Sequence, residues 1–259
     1  MKRIAFAVVL LSAGAAIALA ADSPFAGTWK LNTEKSKFTG DTFTYTATAA
    51  GFHYSNGSTI EYDFAIDGKG YTIIADRMIS WAKSGDSSWD TVVKDGNGTV
   101  LSKSHVTLSD DGNRLTIAYT SYRLDGTTAE GSDEYARISG GPGLAGKWKD
   151  VKSKTVSSSF AIAVPSPGQV SIEYPSYKET VSGPTDGTPL ALKGPTIPDG
   201  VFLSYKPVNP NKWEFSEAFK EKVLEKGTMS VSSDGKTLTE VSWVPGKESE
   251  KSIAVYDKQ

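Results

Sequence analysis

The sequence predicts an all-β protein built from two tandem antiparallel up-and-down β-barrels. Three observations support this prediction. Apolar and polar residues alternate along short segments, dipeptides typical of tight hairpins separate the segments, and the whole arrangement occurs twice along the 259 residues. Successive side chains of a strand point to opposite faces, so a period of two indicates strands with one buried face.

Alternation is clearest in four short segments. In TFTYTAT, residues 42–48, Phe, Tyr and Ala share one face and threonines occupy the other. The same alternation occurs in TIEYDFAID, residues 59–67, and in VSSSFAIAV and VSIEY, residues 156–164 and 170–174. The best helix candidate is SEAFKEKVLEK, residues 216–226. Its period-two pattern, and a repeat partner typical of strand–turn–strand structure, favour a hairpin instead.

The dipeptides between these segments are those of two-residue hairpin loops, because Asn-Gly and Asp-Gly accept the positive φ angles that such loops need. These loops join antiparallel neighbours, which leaves a sandwich or a closed barrel as the architecture. A closed barrel pairs the first strand with the last and removes both sheet edges. The dipeptides are Asn56-Gly57, Asp67-Gly68, Asp95-Gly96, Asn97-Gly98, Asp111-Gly112, Asp125-Gly126 and Asp234-Gly235.

The repeat is visible at four points in the same order. A hydrophobic-Ala-Gly-x-Trp-Lys motif occurs in FAGTWKLN and in LAGKWKDV, with Trp29 and Trp148 119 positions apart. Three further pairs follow at offsets of 124, 123 and 121: WDTVV with WEFSE, LSDDGNRLTI with VSSDGKTLTE, and EYARIS with VYDKQ. Nearly constant offsets indicate a duplicated unit of about 115 residues, with surface loops absorbing the drift.

The repeat also predicts the domain boundaries. Residues 1–20 are predicted to be a signal peptide, residues 21–139 the first barrel and residues 144–259 the second. Residues 140–143 belong to the turn-rich stretch SGGPG and are predicted to be a short interdomain linker. Each copy is expected to close its own barrel and to fold when expressed alone.

The N-terminal segment has the features of a secretory signal peptide. Lys2 and Arg3 precede an apolar run, and residues 18–20, ALA, form a small-residue cleavage site. A membrane anchor is the alternative, but the run is rich in Ala and Gly and ends in the cleavage motif. We therefore expect a periplasmic or secreted protein whose mature form begins at Ala21. The chain has no cysteine, so its core must stabilise it without disulfides.

The charge balance argues against two classes of partner. The mature chain has 26 basic and 30 acidic side chains, a net charge of −4, and no long run of either sign. This is not the footprint of a nucleic-acid-binding surface or of a cationic membrane-binding face. We expect no nucleic-acid partner, no transmembrane segment after signal cleavage, and a monomer.

Residues for catalysis or metal binding are scarce. The chain has two histidines, His53 and His105, both in the first copy, and it has neither a cysteine nor a G-x-S-x-G motif. The second copy has no histidine, so a duplicated catalytic unit would lack its base. We expect no catalysis, no metal and no cofactor, with both histidines on the surface or in loops.

The two Gly-x-Trp segments resemble a known family. FAGTWKLN at the start of an antiparallel unit and VYDKQ at the end of one are similar to the first and last strands of the lipocalin and fatty-acid-binding-protein (calycin) superfamily. The chain resembles a tandem pair of small bacterial lipocalin-like domains. The resemblance implies a Trp at the closed floor of each barrel, a basic residue of the last strand over its ring, and a small-molecule ligand inside.

Carried over by position, the resemblance pairs Trp29 with Arg137 and Trp148 with Lys258, and a cation over an indole face is stabilising. The chain departs from the family where residues 32–42 leave no room for a helical lid, and the Arg-x-Tyr anchor for a fatty-acid carboxylate has no clear match. The residues implied for the two floors are Gly27, Trp29, Arg137, Gly146, Trp148 and Lys258.

Aromatic residues on the predicted inner faces are the candidate contacts for a small apolar or amphipathic ligand, whose polar part tyrosine hydroxyls would orient. The same residues also suit plain core packing. The alternative function is therefore a structural or interaction module with solid barrels. A pocket of several hundred cubic ångströms would favour binding, and a filled interior would favour the module. The candidate contacts are Tyr45, Tyr62, Phe64, Trp81, Trp89, Phe160, Tyr174, Tyr205 and Trp213.

Overall fold

The computed structural model describes residues 23–38, 40–141, 143–155 and 157–259. The predicted signal peptide and its cleavage site lie outside these ranges. The described residues form strands and turns, with one 3₁₀ turn at Pro175–Tyr177 and no α-helix, which confirms the all-β prediction. In this part of the chain, no helix is long and apolar enough to cross a membrane.

The strands, in chain order, are β1 (Gly27–Leu31), β2 (Thr42–Thr48), β3 (Gly51–Ser55), β4 (Glu61–Phe64), β5 (Gly70–Ile74), β6 (Arg77–Gly85), β7 (Ser88–Lys94), β8 (Val100–Leu108), β9 (Arg114–Tyr122), β10 (Thr128–Ser139), β11 (Gly146–Lys154), β12 (Ser159–Ala163), β13 (Gln169–Tyr174), β14 (Glu179–Pro184), β15 (Leu190–Ala191), β16 (Val201–Asn209), β17 (Lys212–Phe219), β18 (Lys222–Val231), β19 (Thr237–Trp243) and β20 (Ser252–Lys258). The segment considered as a helix, residues 216–226, lies in the β17–β18 hairpin.

These strands form two antiparallel ten-stranded sheets, each curved into a nearly closed barrel. The N-barrel has the order β4-β3-β2-β11-β10-β9-β8-β7-β6-β5, and the C-barrel has the order β14-β13-β12-β1-β20-β19-β18-β17-β16-β15. Most neighbours in each sheet are also neighbours in the chain, which is up-and-down connectivity. At the C-barrel seam, Thr180 and Lys193 form a single bridge.

Each barrel takes its Gly-x-Trp strand from the other repeat. β1, from the first copy, lies between β12 and β20 of the second copy, where Trp29 is opposite Lys258. β11, from the second copy, lies between β2 and β10 of the first copy, where Trp148 is opposite Arg137. The prediction that each copy closes its own barrel is therefore wrong, because each copy contributes its Gly-x-Trp strand to the barrel of the other copy.

The two barrels face each other. In each barrel we call the end where the Gly-x-Trp strand begins the floor, and the opposite end the mouth. Lys222 Nζ, at the mouth end of β18, donates to the Thr59 carbonyl before β4 at 2.6 Å. The Leu124 amide, in the β9–β10 turn, donates to the Ser176 carbonyl after β13 at 2.9 Å. Both hydrogen bonds join mouth loops, so the two interiors open toward each other.

A partly buried ion pair supports this interface. Lys247 Nζ lies 2.6 Å from a Glu250 carboxylate oxygen in a C-barrel mouth loop. The same lysine donates to the Thr42 carbonyl at 2.8 Å, and the Thr42 amide donates to Glu250 at 3.0 Å. Upstream, Lys37 pairs with Ile253 of β20. These contacts fix the path of the chain from β1 in the C-barrel to β2 in the N-barrel.

Loop length explains the strand exchange. Six residues join Ser139, at the floor end of β10, to Gly146, the first residue of β11. They span at most about 25 Å. Because the mouths face each other, the floors lie at opposite ends of the molecule, at least about 40 Å apart for tilted strands of this length. β11 must therefore remain beside β10.

The same connection corrects the predicted domain boundaries. Residues 140–143, predicted to be an interdomain linker, fall between the hairpin partners β10 and β11. The N-barrel is consequently contiguous, spanning residues 42–154, whereas the C-barrel combines residues 27–31 with residues 159–258.

A buried tryptophan under a cation forms each floor. The Arg137 guanidinium lies 4.2 Å from the centre of the Trp148 ring, and Lys258 Nζ lies 5.2 Å from the centre of the Trp29 ring. The predicted pairs, Trp29 with Arg137 and Trp148 with Lys258, are wrong because the two Gly-x-Trp strands exchange barrels. Both indoles are fully buried, and each N–H donates to the carbonyl four residues earlier, at 2.8 and 3.1 Å.

Two glycines allow the cations to reach these rings. Gly27 and Gly146 have φ angles of 142° and 153°, a region that favours glycine. A Cβ on Gly27 would come within 2.5 Å of the Lys258 side chain, and one on Gly146 would come equally close to Arg137. A larger residue at either position would displace the cation from the indole.

The two floor cations should differ in their contribution to stability. Arg137 donates to the carbonyls of four residues around the N-barrel floor, besides stacking on Trp148. For Lys258, the contact with Trp29 is not accompanied by any side-chain hydrogen bond to a described residue. We expect Arg137→Ala to lower the free energy of unfolding by about 2–3 kcal/mol and Lys258→Ala by about 0.5–1 kcal/mol. Urea denaturation measures both, and equal losses would contradict this assignment.

Candidate functional site

Both barrels contain a cavity. The N-barrel cavity and the C-barrel cavity each measure about 290 Å³. This volume is near the lower limit of ordinary small-molecule sites. Side chains therefore do not fill either interior completely, and the two cavities differ in chemistry.

The N-barrel cavity is apolar and aromatic. None of its described lining residues carries a carboxylate, an amine or a guanidinium, and the polar groups in its wall include the hydroxyls of four tyrosines: Tyr45, Tyr54, Tyr62 and Tyr135. Burial raises the pKa of Tyr54 to about 12, and it raises the pKa of the other three as well. At neutral pH these hydroxyls are uncharged donors and acceptors.

A buried donor in this wall has no acceptor among the described residues. The Trp81 side chain is 2% exposed, and its Nε1 makes no hydrogen bond with any described residue. The Tyr62 hydroxyl is close enough for the Trp81 N–H to oppose the rise in its pKa, but the contact does not reach hydrogen-bond geometry. An unsatisfied buried N–H is costly. A hydrogen-bond acceptor in the cavity would therefore stabilise this wall.

Four glutamates line the C-barrel cavity: Glu179 on β14, Glu217 on β17, Glu225 on β18 and Glu240 on β19. Among its described lining residues there is no lysine or arginine. Glu217 and Glu225 are direct partners in the β17–β18 ladder. Two like charges opposite each other on one face of a sheet are destabilising. This cavity is therefore acidic and electrostatically unbalanced when its carboxylates are ionised.

Burial raises the pKa of all four carboxyls. The effect is largest at Glu240, whose pKa rises to about 7, first through burial and then through the charges of Glu225 and Glu217. A hydrogen bond from Ser242 partly opposes the rise at Glu225. At Glu240, burial and like charge act together, and no described residue donates a hydrogen bond to its carboxylate.

The cation that acts on this cavity comes from the other barrel. Arg77 is the first residue of β6 in the N-barrel. Its positive charge partly opposes the rise in pKa that burial causes at Glu179 and Glu217. It forms no ion pair with either carboxylate in the described structure, and its buried Nε has no hydrogen-bond partner there. Arg77 therefore acts across the interface at a distance, and no described residue serves as a counter-ion to Glu225 or Glu240.

Replacement of Glu240 by an amide should change the pH dependence of stability. The pKa of Glu240 is about 7 in the folded protein and near 4.5 when unperturbed, so the ionised carboxylate destabilises the fold above pH 7. We expect Glu240→Gln to raise the free energy of unfolding by up to about 3 kcal/mol at pH 8, with the gain vanishing as the pH falls toward 4.5. Urea denaturation at both pH values measures this. Glu214→Gln, at an exposed position of β17, is the control and should show no such gain. If Glu240→Gln raised the free energy of unfolding equally at both pH values, the raised pKa of Glu240 would be contradicted.

Further acids lie near the N-barrel mouth. Burial raises the pKa of Asp41, Asp133 and Asp150, and the pKa of Asp150 reaches about 6. The charge of Lys247 partly opposes the rise in the pKa of Asp41. The Ser153 hydroxyl donates to Asp133 at 2.6 Å and partly opposes the rise in the pKa of Asp133. Carboxyls with raised pKa values therefore occur on both sides of the interface between the barrels.

The predicted ligand contacts divide into cavity-lining and core residues. Six line a cavity: Tyr45, Tyr62 and Trp81 in the N-barrel, and Phe160, Tyr174 and Tyr205 in the C-barrel. The other three pack in the hydrophobic cores: Phe64, Trp89 and Trp213.

The cavity glutamates are not among the residues predicted from the sequence, although the sequence contains a signal for them. At period two, Glu217 falls on the same face of its strand as Phe215 and Phe219. Glu240 likewise shares a face with the buried Leu238. A carboxylate at an inner position of an otherwise apolar face is the pattern that predicts them.

Both histidines pair with aspartates at the surface. His53 Nδ1 lies 2.8 Å from Asp63, and His105 Nδ1 lies 2.7 Å from Asp90. A concavity of about 580 Å³ beside His105 is larger than either interior cavity, but it lies on the solvent-exposed outer side of β7–β10. Within the described ranges, no three His, Asp or Glu side chains converge as metal ligands would.

Comparisons with protein-family models, with curated proteins and with solved structures gave no match. The resemblance to lipocalin-like domains therefore stays a prediction from the Gly-x-Trp motifs.

Proposed function

We propose that the protein binds a small amphipathic molecule in its barrel interiors without changing it chemically. The supporting observation is the pair of tyrosine-lined cavities of about 290 Å³ each. Such cavities offer apolar surface for the body of a ligand and hydroxyls that orient its polar part. In this proposal the protein is an exported lipocalin-like carrier, periplasmic or secreted, as its N-terminal segment and its Gly-x-Trp motifs predict.

The alternative function, a structural module with solid barrels, has less support. Solid barrels need interiors filled by side chains, whereas both interiors retain a cavity. The unpartnered Trp81 N–H in the wall of the N-barrel cavity also favours a ligand, since an acceptor there would remove the cost of its burial.

Native mass spectrometry of the protein purified from its own host tests this proposal. We expect a bound small molecule that is released on collisional activation. A double variant, Ser104→Phe and Leu192→Trp, places a large ring into each cavity and should lose that molecule, because both residues line cavity walls. The control is Thr107→Phe, at an exposed position of β8, which should retain it. If no molecule is released, or if the double variant retains it, the solid-module alternative is favoured.

A further inference from the structure

The C-barrel cavity contains the features of a site for a positively charged ligand. Resting on the proposed function, we infer that the C-barrel binds a small molecule with a protonated amine and an apolar or aromatic body. The amine lies among the carboxylates of Glu217, Glu225 and Glu240, which line one cavity together. The N-barrel cavity, whose described wall contains no carboxylate, does not share this preference.

The charge balance of the C-barrel cavity favours a cationic ligand. Buried charges in proteins are normally paired, because the loss of hydration is costly. Here Glu217 and Glu225 are opposite each other on neighbouring strands, and no described lysine or arginine lines the cavity. Arg77 acts on the Glu179 and Glu217 side only. A cation in the cavity would supply the missing charge beside the remaining carboxylates.

The carboxylate of Glu240 has unused hydrogen-bonding capacity. Its side chain is half-buried on the inner face of β19, between β18 and β20, and no described residue donates a hydrogen bond to its carboxylate. Carboxylates that are withdrawn from water ordinarily accept hydrogen bonds from neighbouring groups. An ammonium group has three donors and can bond to several carboxylates at once.

The rest of the cavity wall is apolar and aromatic. Phe160, Leu203 and Met229 supply apolar surface, and the rings of Tyr174 and Tyr205 lie beside them. Aromatic faces attract cations, most strongly when water is excluded. A ligand with a short apolar body and one ammonium group therefore matches the cavity better than a neutral or anionic molecule of the same size.

Calorimetric titration with a matched pair of probes tests this inference. The probes are 2-phenylethylamine, which is protonated at pH 7, and 2-phenylethanol, its neutral counterpart. We expect the full-length protein to bind the amine about tenfold to a hundredfold more tightly than the alcohol, the range of a hydrogen bond to a charged group. Glu217→Gln and Glu240→Gln should each reduce amine binding by a similar factor and leave the alcohol unaffected. Glu214→Gln, exposed on the same strand as Glu217, is the control and should change neither.

Proton exchange gives an independent readout. The groups that line the cavity with Glu240 are Glu179, Glu217, Glu225, Tyr174, Tyr205 and Tyr256. At the interface, Arg77 acts on Glu217 and Asp41 acts on Glu225. An ammonium favours ionised carboxylates, so amine binding at pH 6.5 should release protons. Titrations in two buffers of different ionisation enthalpy measure that release, which Glu240→Gln should diminish.

The outcomes separate this inference from the proposed function. Equal affinity for amine and alcohol, with binding removed by Leu192→Trp, would overturn the cation preference and leave small-molecule binding intact. Amine binding that survives Glu217→Gln and Glu240→Gln would overturn the placement of the site. If neither probe binds, the inference is wrong, and the co-purification experiment decides the proposed function separately.

Discussion

A chain that begins at Gly40 should keep a folded N-barrel and lose the folded C-barrel. β1 lies between β12 and β20 rather than at a sheet edge, and it carries the buried Trp29. Just before it, Phe25 stacks on Trp213 with 3.9 Å between ring centres. Removing these residues interrupts the sheet and exposes its core to water. Hydrogen exchange read by mass spectrometry should show protection retained in residues 42–154 and lost in residues 159–258.

Two controls make this result specific. A fragment of residues 40–155 contains every strand of the N-barrel and should unfold cooperatively by itself. A synthetic peptide of residues 23–38 should restore C-barrel protection in the shortened chain, and the same peptide with Trp29→Ala should not. If residues 159–258 stay protected without β1 and without the peptide, the strand exchange is wrong.

The second large effect is expected at the N-barrel floor. Trp148→Ala should lower the free energy of unfolding of the N-barrel by about 3–5 kcal/mol, because it removes a large, fully buried ring and leaves a cavity under Arg137. Trp29→Ala should cause a loss of the same size in the C-barrel. Hydrogen exchange distinguishes the barrels: Trp148→Ala should increase exchange in β9–β11, and Trp29→Ala should increase it in β19–β20.

Trp243→Ala is the matched control for both variants. This tryptophan is partly exposed at the end of β19, where Lys251 lies 5.2 Å from its ring centre. Its removal should cost much less than that of either floor tryptophan, because no closed cavity results. If Trp148→Ala increased exchange in β19–β20 instead, each Gly-x-Trp strand would belong to its own repeat, contrary to the structure.

Much of the fold could be predicted from local pattern. Period-two alternation and Gly-containing turns specify the strands and hairpins, because strands and hairpins depend on the conformational preferences of residues that are neighbours in the chain. The duplicated Trp29 and Trp148 motifs indicate two similar units. Each tryptophan does lie beside a basic residue of a terminal strand, although the partner belongs to the other repeat.

The candidate site was harder to predict, because its polar groups occupy positions that alternation ordinarily assigns to apolar residues. Tyr174 and Tyr205 were identifiable as inner-face aromatics, and both line the C-barrel cavity. Glu240 was not identified from the sequence. A carboxyl on an inner face is compatible with folding only where it borders a cavity, has a counter-ion or is protonated. Whether an inner position borders a cavity depends on strands that are distant in the chain.

The sequence by itself determined that this protein is an all-β chain of two similar units, each with a Gly-x-Trp strand. Only the tertiary structure decided which unit receives which strand. FAGTWKLN and LAGKWKDV are nearly interchangeable in local preference and in pattern, so no property of either segment selects its barrel. The selection depends on the facing mouths and on the six residues between Ser139 and Gly146, which are too few to reach the opposite floor. The same mouth-to-mouth arrangement places Arg77 of one barrel near Glu179 and Glu217 of the other, a pairing of distant residues that no local sequence pattern encodes.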